Sequence, residues 1–517
     1  MTPADASPPR VGRVLAVLCF SLFLVSIDNT IVNVALPTIQ SKLSATNTEL
    51  QWIAAAYTIV FACLLLFFGA LGDRRGRRLA LLAGLALFGA SSLVAAVAST
   101  PGQLIAARAG MGAGGALIMP ATLSTITALY PDPRERRRAI AIWAGAGSVG
   151  LAVGPLAGGL LLDHFPWGSV FLINLPVVAA ALIGTWRLVP ETRAENPSAR
   201  DSLGVLLSIV AICALLYAII EAPVDASKLL DNRIVLSGLG GLAAAIAFVA
   251  WERRRSTGIF DLDLFRNMNF TAANVALVLV TFVLLGSLFL IPQFLQHVQG
   301  RTPMQTGIAI MPLALGMVLF ARPAATLADR IGSRRTIALG LGMIALGLVL
   351  AVQWVETTPG WETAIGLGAL GIGMAITMTP AMDSVMGSFR PARAGVGSAM
   401  NDTLIQIGGA LGVAIMGSLF ALRYQKILVR NLTNLPGPDL EKLSSAELLA
   451  MQDSVAKAVQ VSAEASGVKA EWIAESARYA FVAGHTVAMW AAVVATVVVL
   501  LVVLALLPEP HPGPDED

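Results

Sequence analysis

Long apolar runs without alternation, separated by short polar breaks, set the pattern of this chain. A helix needs roughly 20 predominantly apolar residues to cross a bilayer. Scanned against that template, the sequence gives fourteen runs: 14–36, 50–71, 79–98, 102–128, 139–162, 168–189, 203–221, 232–251, 268–298, 304–327, 336–354, 361–387, 396–421 and 479–507. In lipid only helices or closed barrels satisfy their own backbone polar groups, and runs this long without a period of two predict helices. The predicted fold class is an all-α integral membrane bundle. The first run is too long for a signal-peptide core, carries Asp28 and is not followed by a cleavage site, so it reads as a retained span.

Composition agrees with a membrane as solvent. Hydrophobic residues make up 56% and charged residues 13%, with mean hydropathy +0.75, against roughly one-quarter charged in soluble domains. The net charge of +3 leaves no nucleic-acid footprint. Cys19, Cys63 and Cys213 lie in separate apolar runs, which gives neither a disulfide framework nor a metal-ligand spacing and reads as inert packing. No metal site is expected.

The charges matter by position. Arg74, Arg75, Arg77 and Arg78 follow span 2, Arg134 with Arg136 to Arg138 follow span 4, Arg253 to Arg255 follow span 8, and Arg330, Arg334 and Arg335 follow span 10. Each cluster sits on an even-to-odd connection, so the retention of Lys and Arg in the cytoplasm predicts that both termini are cytoplasmic. The long segment 422–478 then lies outside, although Arg423, Lys426 and Arg430 run against the rule. Within it Leu448, Leu449, Val455 and Val459 recur at helical spacing among charges. An amphipathic helix on the membrane or on the bundle, and a solvated cap, both fit.

One loop repeats. GALGDRRGRR (Gly69 to Arg78) follows span 2 and ATLADRIGSRR (Ala325 to Arg335) follows span 10, with Asp73, Arg74, Gly76 and Arg78 matching Asp329, Arg330, Gly332 and Arg334 at one offset. Two helical halves around a midplane site are a common transporter plan. The expected division is an N-terminal six-helix bundle at 1–190, two linking spans at 191–255, a C-terminal six-helix bundle at 256–507 that includes the 422–478 segment, and a tail at 508–517. Locally the glycine permits a tight turn, the Asp can cap the next helix, and the arginines reach headgroups or carboxylates.

GLAVGPLAGG (Gly150 to Gly159) in span 5 puts Gly150, Gly154, Gly158 and Gly159 on adjoining turns, with Pro155 removing a backbone donor, a pattern for close helix approach. Together with IDNTIVNVALP (Ile27 to Pro37), RAGMGAGGA (Arg108 to Ala116), FLINLP (Phe171 to Pro176), IPQFLQHVQGRTPMQTG (Ile291 to Gly307) and GVGSAMNDTLIQIGGALGVAIMGS (Gly395 to Ser418), the chain resembles the fourteen-span, QacA/EmrB-like drug:proton antiporters of the major facilitator superfamily. The likeness extends over nearly the whole chain and is weakest at 422–478. It departs where Gly168 follows Trp167, since the family usually has a Trp-Arg pair there. It also departs where Arg322 precedes Pro323. The resemblance implies a major facilitator fold, a plasma-membrane location, no cofactor beyond a proton gradient, and small-molecule substrates exchanged for protons. A periplasmic adaptor is left open.

Ionisable groups inside spans are functional candidates. Glu221, Arg322 and His485 fall near span ends, where interfacial solvation accounts for them. Asp28 lies roughly 13 Å and Arg108 roughly 9 Å below the outer ends of spans 1 and 4. In the resembled fold both spans line the cavity, so a structural ion pair and a proton-coupling pair are the two readings. Asp383 and Asp402 lie within roughly 10 Å of the cytoplasmic face and could share a proton, and the resemblance associates the span 13 acid with coupling. Gln293, Phe294 and Gln296 on span 9 offer an aromatic surface flanked by amides, and with Asn33 and Tyr57 they are the substrate-binding candidates. Packing is the other reading for Phe294. Export of lipophilic, often cationic, molecules in exchange for protons leads. A dedicated exporter of one metabolite, antibiotic or lipid is the alternative. A receptor has no need of the span 5 signature, and an enzyme lacks any nucleotide loop, ligand cluster or catalytic constellation.

Overall fold

The computed structural model describes residues 8–194, 201–221, 231–254, 262–388, 394–433, 444–465 and 468–507. Among them fourteen helices are long and apolar enough to cross a membrane, and no strand occurs. Spans 1 to 6 are Val11–Leu43, Asn47–Arg75, Arg77–Ala96, Pro101–Leu129, Pro133–His164 and Ser169–Leu188. Spans 7 and 8 are Leu203–Ile220 and Asn232–Arg253. Spans 9 to 14 are Met268–Val298, Pro303–Ile331, Ser333–Val352, Gly360–Gly387, Met400–Leu432 and Lys469–Leu506.

Helix starts follow local chemistry. Thr46 and Thr302 make reciprocal capping boxes with Glu49 and Gln305, satisfying two orphan donors at each start. Asp132 caps span 5, and the backbone N–H groups of Glu135 and Arg134 hold its carboxyl below the usual carboxylate range.

The packing of the first six spans recurs eight spans later. Span 1 packs on spans 4, 5 and 6, as span 9 does on 12, 13 and 14; span 4 packs on 2 and 3, as span 12 does on 10 and 11. Between the two groups, span 5 meets span 10 and span 2 meets span 13. Spans 7 and 8 pair with each other, and span 7 leans on both span 2 and span 13. There Cys63 and Cys213, distant in sequence, come together as free thiols.

The repeated loop is visible in the backbone: Gly76 and Gly332 turn the chain between spans 2 and 3 and between 10 and 11 with φ of +128° and +86°, a region that L side chains rarely enter. Asp73 does not cap span 3, as the sequence led us to expect. Its carboxylate accepts from Arg77 Nε at 2.8 Å, while the Glu191 carboxylate fills the space a Cβ on Gly76 would need and accepts from the Arg78 amide at 3.1 Å. The chain leaving span 6 thereby clamps this turn.

Two boundaries run beyond expectation. The last two spanning helices extend over Ala394–Thr433 and Val468–Leu506, about 60 Å each at 1.5 Å per residue against roughly 30 Å of hydrocarbon, so both project past the membrane. The expected amphipathic helix over 445–477 is instead two short helices, Ser445–Asp453 and Val455–Glu464, broken at Ser454, which caps the second; the remainder joins the last spanning helix. The break changes which residues face inward. Met451, Val455 and Ala458 are buried on the bundle, whereas Leu449 and Val459 are 59% and 45% exposed. We call this side the cap face and the opposite side the arginine-loop face.

Candidate functional site

Asp28 and Arg108 meet inside the N-terminal group of spans. Arg108 Nη1 lies 2.6 Å from Asp28 Oδ2, with the two side chains 1% and 0% exposed. An ion pair taken out of water is tolerated only when its remaining hydrogen-bonding capacity is also met. Arg108 Nε donates to the Ile53 carbonyl at 3.3 Å, and its guanidinium lies over the Tyr57 ring, 4.7 Å from the centroid, a cation–π contact. Asp28 Oδ1 accepts from Asn174 Nδ2 at 3.1 Å. Four spans, 1, 2, 4 and 6, thus converge on one ion pair.

Span 5 fixes span 1 beside this pair. Pro155 has no N–H, so the Leu151 carbonyl loses its helical partner four residues on; the Thr30 hydroxyl of span 1 lies 3.3 Å from that oxygen. A Cβ on Gly154 would come within 2.0 Å of the same hydroxyl oxygen, so glycine lets the two helices approach this closely. Gly159 faces span 10 instead, where a Cβ would meet the Pro303 carbonyl at 2.6 Å.

At this end the two groups of spans are joined. Thr302 Oγ1 and the Met304 amide donate to Asp163 at 3.2 and 3.4 Å, Gln296 Nε2 donates to the Val34 carbonyl at 2.9 Å, and Ser418, whose hydroxyl donates to the Ile219 carbonyl of span 7 at 2.9 Å, lies 3.4 Å from Gln51 Oε1. All of these contacts lie toward the cap face. On the arginine-loop side Asp383 is exposed and Asp402 half-buried.

The expected substrate-binding residues sit at the closed end. Tyr57 is fully buried beneath Arg108, Asn33 donates to the Asn29 carbonyl in its own helix, and Gln293 is 1% exposed. Phe294 opens a π-helical turn, Phe294–Val298, and is 0% exposed. Its ring stacks on His485 at 5.1 Å and lies near Trp354 and Phe481. Its neighbours therefore come from span 14 and from just beyond span 11. An aromatic beside amides reads alike in sequence whether it lines a cavity or locks a helix.

Three side chains near span ends depart from interfacial solvation or refine it. His485 is fully buried, with Nε2 3.2 Å from the Ala351 carbonyl, because the last helix starts earlier than its apolar run. Glu221 caps span 7 and accepts from Trp52 Nε1 at 2.9 Å. Arg322 is exposed. Asn174, Ser92 and Thr30 carry contacts at the site that the sequence reading did not single out, although FLINLP and IDNTIVNVALP contain two of them.

The family model described as Major Facilitator Superfamily matches residues 18–413. The multidrug efflux pump LfrA of Mycolicibacterium smegmatis is 33% identical over 484 residues, covering 93% of this chain and 94% of that protein. The methyl viologen resistance protein SmvA of Salmonella typhimurium is 31% identical over 480 residues, covering 93% and 95%. The tetracenomycin C resistance and export protein of Streptomyces glaucescens is 30% identical over 514 residues, covering 96% and 93%. Among solved structures, a bacterial homologue of the human lysosomal transporter Spinster, described as inward-facing and unoccupied, superposes with TM-score 0.65 at 17% identity, covering 98% of this chain and 100% of that one.

Proposed function

The chain belongs to the Major Facilitator Superfamily, and from that premise we propose that it exports lipophilic, often cationic, small molecules in exchange for protons by alternating access. Membership makes it a multi-pass transporter of the cell membrane rather than an enzyme, in a family that generally needs no cofactor. The names of the relatives, multidrug efflux pump, methyl viologen resistance protein, and resistance and export protein, support export of drug-like molecules.

The observation that carries the coupling is the buried Asp28–Arg108 pair. An exchanger needs an acid whose protonation depends on which side of the membrane it faces, with substrate and proton favouring different charge states. Arg108, held by Ile53 and Tyr57, pairs with the Asp28 carboxylate while the cap face is closed. Opening of the cap face separates span 5 from span 10 and span 1 from span 9, admits water to the pair and loosens that pairing. Asp402 and Asp383, toward the arginine-loop face, are the acids from which protons leave on the other side. Residues 1–190 and 256–507 are the two moving bodies and 191–255 the linker. With both termini and the arginine loops taken as cytoplasmic, the closed cap face supports an inward-facing reading of this state. Gln293, Gln296, Asn33 and Tyr57 then reach substrate only when that face opens.

Transport by purified protein in proteoliposomes with an imposed pH gradient tests this reading. Uptake of methyl viologen driven by the gradient and abolished by a protonophore is the expected result; gradient-independent uptake contradicts it.

A further inference from the structure

The coupling pair uses one residue of the FLINLP motif. Asn174 is 1% exposed, and its Nδ2 donates both to Asp28 Oδ1 and to Ser92 Oγ, each at 3.1 Å. Its neighbours dictate this orientation. The single hydroxyl proton of Ser92 goes to the Phe171 carbonyl at 2.8 Å, so Ser92 has only lone pairs for Asn174, and an ionised carboxylate can only accept. Both amide protons are spent, while Asn174 Oδ1 is buried with no hydrogen-bond partner.

That arrangement suits one charge state of Asp28. A protonated Asp28 needs an acceptor for its new O–H, and the vacant Oδ1 is on the same amide. Rotation of the amide by half a turn presents Oδ1 to the Asp28 hydroxyl, and Ser92 can then donate to it as well, exchanging the Phe171 carbonyl for the amide oxygen. We propose that Asn174 is a positioning residue for proton coupling, whose amide supports ionised Asp28 in the orientation seen here and accepts from protonated Asp28 when turned over, with Ser92 as its counterpart. This rests on the reading of Asp28 as the coupling acid.

The elements packed on span 1 leave few competing groups. Span 4 brings Arg108 and span 2 brings Tyr57, whose ring lies under it. Span 6 presents Asn174, span 3 presents Ser92 behind it, and span 5 presents the Leu151 carbonyl and its glycines. His297 of span 9 lies at the cap face, and Arg322, Asp329 and Arg330 fall in the last third of span 10. Helix Val455–Glu464, which also touches span 1, carries Lys457 and Glu464 within the cap.

The test is methyl viologen binding to full-length protein in lipid nanodiscs across a pH series. The readout is the pH midpoint at which protons displace the dication. Asn174→Leu keeps the volume and removes both supports, the donor to ionised Asp28 and the acceptor for protonated Asp28. The bond to the charged form is roughly twice as strong, so the ionised form loses more and the midpoint should move up by about one pH unit. Ser92→Ala, which leaves Asn174 in place, should move it the same way by less, and serves if the leucine variant does not fold. Midpoints unchanged in both overturn the inference. Asp28→Asn separates the two levels: loss of the pH dependence there with unmoved Asn174→Leu and Ser92→Ala midpoints defeats this proposal alone. Full pH dependence in Asp28→Asn defeats the coupling assignment itself and this proposal with it.

Discussion

The Thr30 hydroxyl of span 1 stands 3.3 Å from the Leu151 carbonyl of span 5, the acceptor that Pro155 leaves open. The span 5 signature is thus more than a row of small residues: the proline creates a vacancy, and the span 1 hydroxyl that faces it is shared with the Ile27 carbonyl of its own helix, also at 3.3 Å. Gly154 permits the approach, because a Cβ there would sit 2.0 Å from that hydroxyl oxygen. Gly154→Ala should lower thermal stability in detergent, and Thr30→Ala in the same chain should recover part of the loss by removing the colliding atom. Thr30→Ala alone should cost about 0.5–1.5 kcal/mol, the range for one intramolecular hydrogen bond. A double-mutant cycle with no coupling between the two positions would contradict this account.

The joint between spans 5 and 10 should open and close during transport. A cysteine pair replacing Asp163 and Thr302, whose side-chain oxygens lie 3.2 Å apart, should cross-link in the cap-closed state. Cross-linking should stop transport, and a reductant should restore it. Full transport by the cross-linked protein would show that this face need not open.

Phe294 now carries a different expectation from the one its sequence context gave. Enclosed by Trp354, Phe481 and His485, it should behave as a packing residue. Phe294→Ala should cost about 3–5 kcal/mol, the range for emptying a buried aromatic site, and should lower transport of every substrate alike through reduced folded protein. A changed order of substrate preference at normal expression would return Phe294 to the binding surface.

Sidedness can be read directly. In a chain lacking Cys19, Cys63 and Cys213, a cysteine at Leu449, 59% exposed in the cap, should react with an impermeant thiol reagent on intact cells. A cysteine at Arg136 should not. The opposite pattern would invert the orientation of the molecule.

The spans were legible in the sequence because a bilayer demands long apolar helices whatever their neighbours, and the Asp28–Arg108 meeting was legible because unpaired charges are so unfavourable there. Register within and beyond the membrane was less so. The break at Ser454 depends on one cap, and of Val455 and Val459, expected on one apolar face, only Val455 is buried; the early start of the last helix at Val468 moves His485 from an expected interface to a full enclosure. Asn174 and Ser92 were visible as residues but not as partners, since two neutral polar groups in different spans carry no charge signal that pairs them. The approach of Cys63 to Cys213 depends on how the linking hairpin leans, which no local pattern records.

The central claim is that Asp28 is the acid that exchanges a proton for substrate. Drug-induced proton release from purified protein, followed with a pH indicator in weakly buffered solution, tests it most directly. The account predicts that methyl viologen releases protons from the wild type, and that Asp28→Asn, which keeps the volume but cannot change charge, still binds the dication while releasing almost none. Undiminished release from Asp28→Asn would contradict the account and shift the coupling to Asp402 and Asp383.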